Sequence, residues 1–124
     1  MQTEALLKIV QTVLDERKGH YITTIDVRGK TSFTDYMVIA TGTSDRHLKS
    51  LCDYVAEKAK ENGVMPLGIE GDLGSDWVLL DLGDIIVHVM TAQAREFYQL
   101  EKLWSVDPVK EAVPTHDNVR ASKI

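Results

Sequence analysis

The sequence predicts a single α/β domain in which a mixed sheet of about five strands is packed by helices. Three observations carry that expectation. Apolar residues recur at helical spacing in two long stretches and again near residue 100, and several short runs rich in Val, Ile and Thr have strand length. These segments follow one another as helix, strand, strand, helix, strand, strand, strand, helix. With 124 residues the chain can bury a core without disulfides, and its one cysteine, Cys52, has no partner to pair with. Nothing resembles a signal peptide or a membrane span, so the expected compartment is the cytoplasm.

The first helix is expected over residues 3–18, where Leu6, Leu7, Val10, Val13 and Leu14 share a face, Thr3 stands at the N-cap and Gly19 stops the helix. Residues 21–27 alternate and 36–41 form a second β-like run, so the two are expected to pair across a connection containing Arg28, Gly29 and Lys30. A second helix follows Gly42, Thr43 and Ser44; Leu48, Leu51, Cys52, Val55 and Ala59 mark its buried side and Asn62-Gly63 its end. Residues 64–69 read as a short strand, which Pro66 puts at an edge or at a break in the pairing.

The chain is organised around residues 76–104. Two apolar runs, 76–80 and 85–90, flank a turn in which Gly83 supplies a positive φ, giving an antiparallel hairpin. From Ala92 the spacing becomes helical up to Trp104, with Phe97, Leu100 and Trp104 expected to hold this last helix on the sheet. Residues 105–124 contain Pro108 and Pro114 and few large apolar groups, so the domain is expected over 1–104 with a mobile tail after it.

A net charge of −5 argues against a phosphate-tracking surface, which needs excess Lys and Arg. Between Lys60 and Arg95 there is no basic residue, whereas Glu61, Glu70, Asp72, Asp76, Asp81 and Asp84 are acidic. That half is matched to a basic partner.

Catalytic and metal constellations are thin. The four histidines are far apart and Cys52 has no neighbouring ligand, so no metal-ligand spacing exists. Gly42-Thr43-Ser44 lacks the pattern of a phosphate-binding loop and reads as a helix N-cap. Asp81 and Asp84 flank a turn, where carboxylates are commonly just solvated. His88, set among Ile, Val and Met, reads as a hydrogen-bonded histidine within the sheet. Trp77 shares a strand face with Asp81 and is therefore expected to be partly exposed, and Tyr98 falls beside the apolar stripe of its helix. Trp and Tyr are enriched at binding hot spots.

Four segments, TDYMVIATGTSDRH (34–47), PLGIEG (66–71), DWVLLDLGDIIVHVM (76–90) and REFYQLEKLW (95–104), resemble the ribosomal silencing factor family, also called Iojap-like. The resemblance implies a fold similar to nucleotidyltransferases without their catalytic residues, often a homodimer. It further implies a protein that binds the large ribosomal subunit through its ribosomal protein fourteen and blocks joining of the small subunit, repressing translation with no cofactor and little direct nucleic-acid contact. The chain has no D-x-D to hold paired metal ions, which agrees with a non-enzyme. The matching polar and aromatic positions are Glu70, Gly71, Trp77, Asp81, His88, Arg95, Tyr98 and Glu101, of which Trp77, Asp81, His88, Arg95 and Tyr98 are expected to face the partner. The competing expectation is a divergent nucleotidyl- or phosphoryl-transfer enzyme built on residues 42–45 with Asp81 and Asp84.

Overall fold

A computed structural model describes residues 1–71 and 74–105. Helix α1 (Thr3–Glu16) buries Leu6, Val10, Val13 and Leu14, as its spacing requires. Its N-cap position is Gln2 rather than Thr3; the Thr3 hydroxyl instead donates to Asp84 Oδ2 at 3.0 Å, tying the helix to a distant turn. The C-terminus closes through Gly19, whose N–H donates to the Leu14 carbonyl at 2.7 Å, so close that an added Cβ would meet that oxygen at 2.9 Å.

Strands β1 (His20–Asp26) and β2 (Tyr36–Thr41) pair antiparallel, with an irregularity between His20 and Thr23 where Tyr21 takes a φ of 51°. Helix α2 (Asp45–Glu61) begins at Ser44, whose Oγ accepts from the His47 N–H at 3.0 Å. The cap reading of this glycine-containing junction is therefore satisfied in the fold. Strand β3 (Gly68–Glu70) is shorter than expected and begins after Pro66, which has no N–H to give to a ladder. Strands β4 (Trp77–Asp81) and β5 (Ile85–Met90) form the expected hairpin, with Gly83 at φ 88°.

The sheet order is β1-β2-β5-β4-β3, and the central pair, β2 and β5, is parallel. Both of these strands are buried along their whole length, because each face of the sheet is covered. On one face α1 and α2 pack over Val38, Ala40, Val78, Leu80, Val87 and Val89. On the other, Ile25, Val27, Met37, Ile39 and Met90 lie under a smaller layer that includes Ala94 and Leu100. Cys52 sits inside the first layer, where burial pushes its thiol up to about 12, so it is a core residue and not a nucleophile.

The segment expected to be one helix over 92–104 is two. Helix α3 (Ala92–Tyr98) is followed by α4 (Leu100–Ser105), and Gln99 between them is left-handed, with φ 50° and ψ 46°. That single residue turns the chain, so the expected stripe of Phe97, Leu100 and Trp104 does not exist. Leu100 is fully buried, Trp104 is half-buried, and Phe97 is 61% exposed. Phe97 therefore does not hold the helix on the sheet. Leu100, within the smaller core layer, and Trp104, packed against it, do so as expected, together with Arg95, described below. The tail expected after Trp104 begins with the end of α4 at Ser105, and residues 106–124 lie outside the described residues. Among the described residues, no helix is long and apolar enough to cross a membrane.

Candidate partner-binding face

Trp77, His88 and Tyr98 come together where α3 meets the β4–β5 hairpin. Trp77 opens β4 and pairs with Met90, while His88 pairs with Leu79, so the two rings are diagonal neighbours on one sheet face. The Trp77 indole Nε1 donates to His88 Nδ1 at 3.0 Å, with the ring centroids 5.7 Å apart. Tyr98 rests on the other side of Trp77 at 4.7 Å, and Phe97 meets Tyr98 edge-on at 4.9 Å. A ladder of four rings thus runs from the buried sheet to the surface.

His88 is only 2% exposed, and with Nδ1 accepting, its proton resides on Nε2, which has no hydrogen-bond partner among the described residues. Burial pulls its pKa down to about 4, because imidazolium would lose its hydration with nothing to replace it. Since this folded value lies below the ordinary 6.5, the neutral ring contributes stability that is complete above pH 6.5 and is lost as pH falls through 4. Wild type is expected to lose about 2 kcal/mol between pH 7 and pH 5 from this group alone. His88→Gln, which retains an acceptor for the indole, should lose that much less in urea unfolding at the two pH values; an identical pH dependence would refute the burial effect.

Arg95 points inward. Its side chain is 11% exposed, and its guanidinium makes two bonds to Glu101 Oε2, from Nε at 3.0 Å and Nη2 at 2.7 Å. Further bonds reach Thr41 Oγ1 and Thr23 Oγ1, both at 2.9 Å. The fork therefore fastens α3 and α4 to β1 and β2 at once. Asp81 ends β4, four residues along the chain from Trp77, and its Oδ1 accepts from the Gly83 N–H at 2.9 Å.

Of the five side chains expected to face a partner, Trp77, Asp81 and Tyr98 reach the surface while His88 and Arg95 lie beneath it as supports. Glu101 belongs to the Arg95 clamp. Gly71, with φ 101°, passes so close to β4 that an added Cβ would lie 2.8 Å from the Trp77 carbonyl, which ties the IEG segment to the position of Trp77. The sequence placed Asp76 only in the general acidic half, gave Glu96 no role and put Phe97 in the core; in the fold these three, with Gln93, Ala94 and Tyr98, line a cleft of about 520 Å³ beside the ring ladder. The acidic run around Asp76 was a signal for it; the exposure of Phe97 depends on the break at Gln99.

The carboxylates of the competing expectation each accept a hydrogen bond within the fold. Asp81 caps its turn, Asp84 accepts from Thr3, and Asp45 Oδ2 accepts from the Gly74 N–H at 2.7 Å.

The sequence profile described as ribosomal silencing factor during starvation matches residues 1–123. The chain belongs to the ribosomal silencing factor family. It is 46% identical over 101 residues to the ribosomal silencing factor RsfS of Haemophilus influenzae, covering 82% of this chain and 99% of that protein. A mouse protein named mitochondrial assembly of ribosomal large subunit protein 1 is 33% identical over 103 residues, which are 81% of this chain and 45% of that one. The crystal structure of a Chromobacterium violaceum protein superposes with a TM-score of 0.82 at 36% identity, covering 94% of this chain and 98% of that chain. Membership supports a role in ribosome silencing, and the family match runs through segments 34–47, 66–71, 76–90 and 95–104 alike.

Proposed function

We propose that this chain silences translation by binding the large ribosomal subunit, chiefly its ribosomal protein fourteen, and occupying the surface that the small subunit needs. The observation that carries the proposal is the Trp77–Tyr98 pair of tilted, touching rings at the surface, bordered by carboxylates and backed by His88 and Arg95. Aromatic rings already held against one another lose little entropy on docking, and acidic surroundings favour a basic protein over RNA. The name of the mouse relative, which ties that protein to the large subunit, supports the choice of subunit. On this reading Trp77, Asp81 and Tyr98 meet the partner directly, and His88 and Arg95 act through them.

The reading extends to a cytoplasmic, non-enzymatic protein that needs no cofactor, makes little direct contact with nucleic acid and can pair with a second copy. Its fold is taken as nucleotidyltransferase-like with the chemistry absent, and the prior commitments of Asp45, Asp81 and Asp84 support that. Addition of the protein to separated subunits should lower the yield of joined ribosomes in sucrose gradients, with the protein co-sedimenting with large subunits and not with small ones. Raising salt from about 0.05 to 0.5 M should weaken that binding, since the Debye length falls from roughly 14 to 4 Å. Undiminished joining at saturating protein, or co-sedimentation with small subunits only, would refute the proposal.

A further inference from the structure

We infer that the cleft beside α3 seats an arginine side chain of the protein partner, an inference that rests on the partner-binding reading above. It is lined by Asp76, Gln93, Ala94, Glu96, Phe97 and Tyr98. Two carboxylates and a carboxamide stand around two aromatic rings, and no lysine or arginine is among them. Arg95, the nearest cation in sequence, is turned to the other side and bound to Glu101, so it does not neutralise the cleft.

The shape of the site distinguishes among cations. Phe97 and Tyr98 meet edge-on at 85°, so the two aromatic rings of the cleft lie in different planes, and Phe97 is 61% exposed. A guanidinium is planar and weakly hydrated: it can lie on an aromatic face and still direct its N–H groups in plane at a carboxylate. A lysine ammonium, compact and strongly hydrated, gains less from the ring. Phosphate groups of RNA would be repelled by Asp76 and Glu96, and a purely apolar side chain would strip water from both carboxylates without replacing it.

The walls are also held. The Asp76 carbonyl accepts the Thr91 N–H at 3.1 Å, which fixes the loop before β4 against the start of α3. Tyr98 rests on Trp77, and Trp77 on His88, so the rings are positioned before any partner arrives. The cleft therefore continues the Trp77–Tyr98 surface and adds the anchor that charge complementarity demands.

Two measurements test this. With the isolated protein, N-acetyl-arginine amide should shift the Phe97 ring and Gln93 side-chain NMR signals saturably at tens of millimolar, whereas N-acetyl-lysine amide at equal ionic strength should give roughly a third of the effect or less. Equal shifts from both probes, or none from either, would overturn the inference. In co-sedimentation with large subunits, Asp76→Asn with Glu96→Gln should weaken binding about 30-fold, and Phe97→Ser about tenfold, with circular dichroism unchanged because all three side chains are exposed. If the wild type binds and these variants bind as well as it does, the arginine seat is wrong and the partner-binding reading stands. If the wild type itself fails to bind large subunits, that reading fails, and the comparison of the two probes still decides the chemistry of the cleft.

Discussion

Arg95→Ala is expected to lower the unfolding free energy by about 3 kcal/mol, because it removes two charge-assisted hydrogen bonds from a guanidinium that is itself mostly buried. Here the loss is compounded. Glu101 would keep its charge on a partly buried helix, and the Thr23 and Thr41 hydroxyls would both lose the donor that links β1 and β2 to α3. Lysine at this position should not restore stability, since a single ammonium cannot serve a carboxylate and two hydroxyls on different strands. Urea unfolding of Arg95→Ala, Glu101→Ala and the double variant gives the coupling directly; a double variant as unstable as the sum of the singles, or an Arg95→Ala protein within 0.5 kcal/mol of wild type, roughly the scatter of a neutral surface change, would show that the clamp has no such role.

Replacing Trp77 and Tyr98 together by alanine should weaken binding to large subunits at least about 100-fold and abolish the block on joining, as loss of two adjacent aromatic hot spots does. Both residues are half-buried, so some stability goes with them, on the order of 2 to 3 kcal/mol in a domain that typically has 5 to 15. The layer beneath keeps Met37, Ile39, Met90 and Leu100, which is why the variant should remain folded. Circular dichroism and co-sedimentation on one preparation decide the matter: a folded double variant that no longer binds large subunits but still prevents joining would place the inhibition elsewhere, on the small subunit or in catalysis.

Periodicity revealed the two long helices and the strands of the sheet because each buries a regular set of apolar side chains. Leu6, Val10, Val13 and Leu14, or Leu48, Leu51, Cys52 and Val55, repeat as a helix repeats, and β2 and β5 are nearly continuous in Val, Ile and Ala. The break at Gln99 was not legible. No glycine, asparagine or proline marks it, and glutamine adopts the left-handed conformation there because Leu100 is drawn into the core while Arg95 and Glu101 are brought together. Those two residues are six apart, a spacing at which side chains on an uninterrupted helix do not meet, so the clamp exists only because the helix is broken.

The candidate face was half legible for a similar reason. Alternation put Trp77 and Asp81 on one side of β4, as they are. The partnership of Trp77 with His88 depends on the register of the hairpin, and the inward turn of Arg95 depends on the break in the helix. Neither is written in local spacing. Phe97 was misplaced because a helical wheel drawn through Gln99 put it on one stripe with Leu100 and Trp104, which lie beyond the break.

The parallel pairing of β2 with β5 constrains how the chain can fold. Tyr36 meets Ile85 and Thr41 meets Met90, so the centre of the sheet joins positions about fifty residues apart in sequence. The β1–β2 ribbon and the β3–β4–β5 ribbon can each form by short-range closure, yet β2 and β5 keep unpaired backbone edges until the two ribbons lie side by side. Loop closure over that span must precede the contacts that reward it, which slows folding relative to a topology built from local pairings alone. For a nascent chain, the order matters: residues up to Glu61 leave the synthesising ribosome with β2 still an open edge, and they remain dependent on a strand not yet made.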